Sequence, residues 1–247
     1  MRIAVAGPNG ALGSAVVAAA RAAGHEVVPL GRRDGIDLVT GAGLDTALTG
    51  VDAVIDASNK FTLSARAATR FFQTATANLM AAEQRAGVGH HVAMSIVGSE
   101  QINASYYAGK VAHERAVEAG PVPHTILRAT QFHDFVGQMM GTSPGPVKAM
   151  PTMLICPIDT GEVASRLVDI AAGTPQGRAR DLVGPEYATL ADLARRQLRF
   201  ERRKAAVLSL PLPGAYGRGV RSGVLRGSPD ADRGTVTFDE WLQRRGS

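Results

Sequence analysis

Seven residues, Gly7-Pro8-Asn9-Gly10-Ala11-Leu12-Gly13, narrow the choice of folds sharply. They form a GxxGxxG pattern between a β-rich run at 2–6 (RIAVA) and an alanine-rich stretch at 11–23. A glycine loop that ends a strand and opens a helix is suited to bind a pyrophosphate. Gly7 permits the sharp turn, Gly10 keeps the backbone bare for the phosphates, and Gly13 lets the helix pack close to the sheet. The helix start adds unpaired N–H groups and a positive dipole end. Gly7, Asn9, Gly10, Ala11, Leu12 and Gly13 are therefore the expected phosphate contacts.

The rest of the chain extends the alternation. Further strands are expected at 26–30, 36–38, 51–57, 90–95 and 123–128. Helices are expected at 44–48, 62–86 and 104–119, with glycine or proline marking the stops at Gly24, Gly87 and Gly120-Pro121. Strands and helices in alternation imply a parallel sheet covered on both faces. Right-handed crossovers make it a doubly wound, Rossmann-type α/β sheet. Beyond residue 129 the rhythm breaks. Residues 129–154 read as loop, with Gly and Pro at 141–146; 155–172 as strand then helix; 181–184 as one more strand; 186–247 as mostly helix and loop. The expected organisation is one Rossmann-type domain over 1–247. Its dinucleotide-binding core is 1–128 plus 155–185, and a small C-terminal substrate lobe takes 129–154 and 186–247.

Composition sets limits. Hydrophobic residues are 45% and charged residues 20% of the 247, an ordinary globular balance. No run of 18 apolar residues occurs, so no membrane partner is expected. The lone Cys156, between Ile155 and Pro157, excludes an internal disulfide and a cysteine metal site; a buried thiol in a reducing, cytoplasmic setting is expected. None of the six histidines has metal-ligand spacing, so no metal is expected. The net charge of +5 gathers late, in Arg195, Arg196, Arg199, Arg202, Arg203 and Lys204. No aromatic interleaving or reader motif accompanies that run, so a solvated helix face or a surface facing an anion is expected, not nucleic-acid binding.

Cofactor choice should be made after the strand at 26–30, where Leu30-Gly31-Arg32-Arg33 follows. An acidic residue there would accept bonds from ribose hydroxyls; arginine instead suits a 2′-phosphate. NADP(H) is the expected cofactor, with Arg32 and Arg33 at its phosphate. Asp37 either bonds the adenine or stands in solvent. Later, Tyr106-Tyr107-Ala108-Gly109-Lys110 puts Tyr106 and Lys110 four residues apart on one helix. An ammonium beside a phenol favours the phenolate, which would let Tyr106 exchange a proton with a carbonyl or alcohol oxygen.

With GPNGALG, VDAVIDAS, YYAGK, ILRATQF and TFDEWL in this order, the chain resembles the short-chain dehydrogenase/reductase superfamily, in its atypical NmrA-like branch. The resemblance implies that Ser95 orients the reacting oxygen, with Ser99 the fallback. It implies that Lys110 also holds the nicotinamide ribose, that Ala57, Ser58 and Thr130 border the cofactor, and that Gln131, Phe132 and His133 face substrate. The expected activity is NADP(H)-dependent hydride transfer to or from a small organic carbonyl, alcohol or activated double bond. Members of that branch also include cofactor-binding regulators, so an NADP(H) sensor that binds a protein partner is the alternative. A small-molecule substrate is the expected partner, and a homodimer is compatible with the sequence.

Overall fold

The computed structural model describes residues 1–143 and 145–246; Pro144, in the expected Gly/Pro loop, and Ser247 lie outside them. In chain order the elements are β1 (Arg2–Ala6), α1 (Ala11–Ala22), β2 (Glu26–Leu30), α2 (Leu44–Ala47), β3 (Ala53–Asp56), α3 (Ala65–Ala86), β4 (His90–Ile96), α4 (Ser99–Ile102), α5 (Tyr106–Glu118), β5 (His124–Ala129) and α6 (Asp134–Gly141). There follow β6 (Val147–Pro151), β7 (Leu154–Ile155), α7 (Thr160–Ala172), β8 (Gly177–Arg178), β9 (Leu182–Val183), β10 (Ala188–Thr189), α8 (Leu190–Phe200), β11 (Ala206–Leu210), α9 (Gly214–Arg221), β12 (Asp232–Arg233) and α10 (Phe238–Gly246).

The chain divides into two compact units. The first comprises Met1–Arg128 with Thr160–Arg180. Its sheet runs β5-β4-β3-β1-β2, with β8 beside β5, and the β1–β2, β1–β3, β3–β4 and β5–β8 pairs are parallel. This is the doubly wound α/β architecture. Helices cover both faces, so the central strands are apolar on both sides, and Ile3, Val5, Val54, Ile55 and Val92 are fully buried. Helix α1 packs with α7, and α3 packs with α5. Leu79 and Ala82 of α3 close a cluster with Ala4, Ala6, Leu30 and Val54. Ser64 caps α3, its hydroxyl accepting the Ala67 amide at 3.3 Å, and Gly87 ends the helix at φ +73°. After β1 the chain moves to β2 on one side and returns to β3 on the other. Such a reversal opens a crevice at the carboxyl ends of the strands.

The second unit comprises Ala129–Asp159 with Asp181–Ser247. It holds short pairs: β6 with β11 and β9 with β12, both parallel, and β7 with β10, antiparallel. Thr189 caps α8 by accepting the Asp192 amide. Phe238, Trp241 and the His133 ring pack together in its core.

Two expectations are corrected. Residues 36–38 form no strand. The Asp37 carboxylate accepts the Val39 and Thr40 amides at 2.7 and 3.1 Å, and this tight turn competes with extended pairing. Residues 129–154 are not loop throughout, since they contain α6, β6 and the start of β7. Lone short segments gain regular structure there from tertiary partners such as β11 and β10, which local sequence does not announce. The long stretch after 186 likewise contributes β11 and β12 as well as helices. Among the described residues no helix is long and apolar enough to cross a membrane.

Candidate functional site

The loops after β1, β2 and β3 line a cleft of about 560 Å³ in the first unit. Its walls include Gly7, Asn9, Gly10, Arg32, Asp37, Ala57 and Ser58. The loop geometry follows from the glycines. Gly7 has φ +73°, and a Cβ there would stand 2.9 Å from the Ser58 Cα. A Cβ on Gly13 would stand 2.0 Å from the Gly7 carbonyl oxygen, so only glycine lets α1 approach this loop. Gly10 differs: its φ is −79°, and a Cβ would meet only Gly7 O at 3.4 Å. Gly10 is the N-cap of α1 and has no side chain to cap with, and the first turn carries no acid. The first helical amides, from Ala11 and Leu12 onward, therefore keep their affinity for an anion. Ser58 is buried at the cleft wall, with its side chain against the Asp56 carboxylate. A bare helix start and a cradle that Cβ atoms would fill together fit a dinucleotide phosphate.

The two arginines separate. Both are exposed on a short 3₁₀ turn, Arg32–Asp34, but Arg32 lines the cleft and Arg33 is not among its lining residues. Asp37 lines the cleft too, with one carboxylate oxygen already spent on its own turn.

Tyr106, Lys110 and His113 lie at i, i+4 and i+7 on α5 and so share a face. Gly109 lets that helix pack tightly, since a Cβ there would come within 2.6 Å of Ala68 on α3. Tyr106 donates its hydroxyl hydrogen to Asn59 Oδ1 at 2.7 Å, and Phe61 lies 5.5 Å away, ring to ring. Burial raises the Tyr106 phenol above its ordinary value, and the Asn59 bond offsets this only in part. Lys110 is buried. Its ammonium donates to the Met94 carbonyl at 2.5 Å and to His113 Nδ1 at 3.0 Å, and lies over the Phe72 ring. Burial lowers Lys110 to about 8, against the pull of Asp56 and Glu114. The two groups thus have separate partners, and burial raises the phenol rather than lowering it.

Behind Lys110 lies a chain of buried charges that the sequence reading missed. His113 Nε2 meets Asp56 Oδ2 at 3.1 Å, and His91 Nδ1 meets Glu83 at 2.8 Å. Burial and the Lys110 charge hold His113 down at about 4. Burial disfavours charge on both His91 and Asp56, yet the Glu83 carboxylate raises His91, and His113 and His91 hold Asp56 well below the carboxylate range. The donor atoms of Asp56, His91 and His113 lie within 4.8 Å of one another, close enough for a metal ion. However, His113 Nε2 is spent on Asp56 and its Nδ1 faces an ammonium, an arrangement that suits a charge network and repels a cation. The i, i+3 spacing of Lys110 and His113 was a visible signal; the contribution of Asp56 from β3 was not.

The remaining expected residues are placed as follows. Ser95 is fully buried in β4 beside the Glu114 carboxylate, and Ser99 is buried with its hydroxyl 3.5 Å from the same group. Thr130, Gln131, Phe132 and His133 belong to the second unit. There Thr130 donates to the Cys156 carbonyl at 2.5 Å, and Phe132 bridges to Ile158. Gln131 is buried. His133 is fully buried and bonds the Val236 carbonyl through Nε2 at 3.0 Å. Cys156 is buried as expected, and burial pushes its thiol up.

No protein-family model and no curated protein matches the sequence. Solved structures do share the fold. An NADPH-dependent quinone oxidoreductase of Escherichia coli, complexed with NADPH, superposes with a TM-score of 0.74 at 16% identity, covering 99% of this chain and 100% of that one. Triphenylmethane reductase of Citrobacter sp., complexed with NADP(H), gives 0.74 at 18% identity, covering 99% of both chains. A short-chain dehydrogenase/reductase superfamily protein of Agrobacterium tumefaciens with bound NAD gives 0.71 at 18% identity, covering 99% of this chain and 95% of that one. At these identities the likeness is one of architecture.

Proposed function

We propose that the chain is an NADP(H)-dependent reductase of the short-chain dehydrogenase/reductase type, acting on a small organic carbonyl or activated double bond. The observation that carries this reading is the cleft at the sheet's reversal point, with a bare helix start at Gly10 and Arg32 at its rim. In this reading Gly7, Asn9, Gly10, Ala11, Leu12 and Gly13 hold the pyrophosphate. Arg32, helped by Arg33, takes the 2′-phosphate; Asp37 faces the adenine; Ala57 and Ser58 border the nucleotide. NADPH, when bound, supplies the hydride. Two structural neighbours bear names that specify a quinone and a triphenylmethane, both ring-bearing molecules. Phe61 and Phe71, near Asn59 and Tyr106, offer aromatic surface here.

Tyr106 is the acid. A phenol kept protonated by burial suits the reductive direction, in which the oxygen of the reduced substrate must receive a proton. Lys110 anchors the face of α5 that carries Tyr106, and Ser95, the residue assigned to orient the reacting oxygen, lies within β4 beside Glu114.

The test is NADPH oxidation across a panel of quinones, arylmethane dyes and simple carbonyls, with Tyr106→Phe beside the wild type. Turnover that is lost in Tyr106→Phe with NADPH affinity retained supports the assignment. Turnover that survives removes Tyr106 from the chemistry. Tight NADPH binding with no turnover on any acceptor favours the sensor reading instead.

A further inference from the structure

Asp56 ends β3, and its two carboxylate oxygens face different partners. One accepts the Ser58 amide at 2.8 Å, and the other meets His113 Nε2 at 3.1 Å. Ser58 and Asn59 are cleft wall, and Asn59 accepts the Tyr106 hydroxyl. One residue further along α5's amino end, Ser105 sits at φ +54°, a region costly for a side chain, and its hydroxyl donates to the Leu63 carbonyl at 2.9 Å. The segment 56–63 is therefore fastened to α5 at three points: Asp56 to His113, Asn59 to Tyr106 and Leu63 to Ser105.

The His113 link is the buried one, and its hydrogen positions follow from its neighbours. Lysine only donates, so His113 Nδ1 must accept, and a neutral ring then carries its hydrogen on Nε2, pointed at Asp56. The ring stacks on Phe72 of α3 at 5.2 Å, which fixes its plane. Lys110 on α5, Asp56 on β3 and His91 on β4, with Glu83 of α3 behind His91, are the charged groups around it.

We infer that His113 is a positioning residue for the cofactor cleft: its Nε2 arm fixes the Asp56–Ser58 wall, and its Nδ1 arm fixes Lys110 on the face that carries Tyr106. The cleft's role as a dinucleotide site rests on the function proposed above; the fixing of the wall does not. Each arm has its own mimic. In His113→Gln the amide nitrogen takes the place of Nε2 and keeps the Asp56 arm. In His113→Asn the amide oxygen takes the place of Nδ1 and keeps the Lys110 arm. His113→Leu loses both.

The experiment measures hydrogen exchange of the Ser58 amide by NMR in the full chain without cofactor, then NADPH affinity by calorimetry. The Asn and Leu variants should exchange Ser58 about tenfold faster or more, the effect of losing a bond to a charged group. The Gln variant should match the wild type in exchange and in NADPH affinity, while Asn and Leu bind NADPH about tenfold more weakly. If the three variants behave alike, fast or slow, His113 fills space only and the inference falls. Should Asn and Leu fail to fold, the wild-type imidazole decides. A neutral ring protonated at Nε2 from about pH 8 down to about pH 6 supports the role, and a ring that is charged or protonated at Nδ1 there overturns it. Wild-type protein that binds no NADPH defeats the functional reading alone, because the Ser58 exchange still reports on the wall.

Discussion

Gly10 and Gly13 lie three residues apart in one motif, yet alanine at each should damage a different property. In Gly13→Ala the new methyl falls 2.0 Å from the Gly7 oxygen and 2.8 Å from its carbon. That is more than an ångström inside ordinary contact, and the obstacle is backbone, which cannot swing aside. Helix α1 and its loop must separate. Overpacking of this kind costs about 1–3 kcal/mol, and the roughly 1 kcal/mol that alanine gains over glycine inside a helix offsets only part of it. At about 2–4 °C per kcal/mol for a chain this long, the melting temperature should fall by several degrees. In Gly10→Ala the nearest atom is 3.4 Å away, and φ −79° suits any residue, so the fold should melt within about 2 °C of wild type. Its methyl nevertheless stands at the helix start, where a phosphate must approach. An anion there gains up to about 2 kcal/mol, so NADPH affinity should weaken by about tenfold or more. Differential scanning fluorimetry and calorimetry on the two variants separate the effects. Gly10→Ala with undiminished NADPH affinity would refute the placing of the pyrophosphate, and Gly13→Ala with an unchanged melting temperature would refute the packing argument.

Three further outcomes are expected. Arg32→Asp should move preference from NADPH toward NADH by at least about tenfold, the worth of a charge-assisted pair, while Arg33→Asp, outside the cleft lining, should move it less; steady-state kinetics with both cofactors checks this. Stability should drop as pH falls from about 6.5 toward 4. His113 is held at about 4 in the fold, so in that window the unfolded chain takes up a proton that the native state refuses. The loss should amount to a few kcal/mol by urea unfolding and should be smaller in His113→Gln, the remainder coming from His90 and His133, which burial also lowers; the raised His91 acts only above that window and the lowered Asp56 only below it. The basic run should not retain DNA on a heparin-free DNA resin at physiological salt, because Arg195, Arg196 and Arg203 are paired with Asp192, Glu186 and Glu201; salt-sensitive retention would contradict this.

What was legible in the sequence was local. Glycines 7, 10 and 13 declare their loop because they stand together between a strand and a helix, Gly7 with a positive φ and Gly13 against the Gly7 carbonyl, and the buried strands read as apolar runs because both faces are covered. The Tyr106–Lys110 spacing was equally plain, but spacing only says that two side chains share a helix face. It does not say what else reaches that face. Asp56 arrives from β3, Met94 from β4 and Phe72 from α3, and together with His113 they draw the ammonium inward. A buried lysine needs a carbonyl, a lone pair and a compensating carboxylate; β4 supplies the first, His113 of its own helix the second and β3 the third. Asn59 then takes the phenol that the lysine leaves. The same motif that suggests a phenolate in isolation is therefore converted, by partners brought in through the sheet, into a protonated tyrosine beside a separately anchored lysine. Under the function proposed above, that arrangement suits giving a proton to a reduced oxygen.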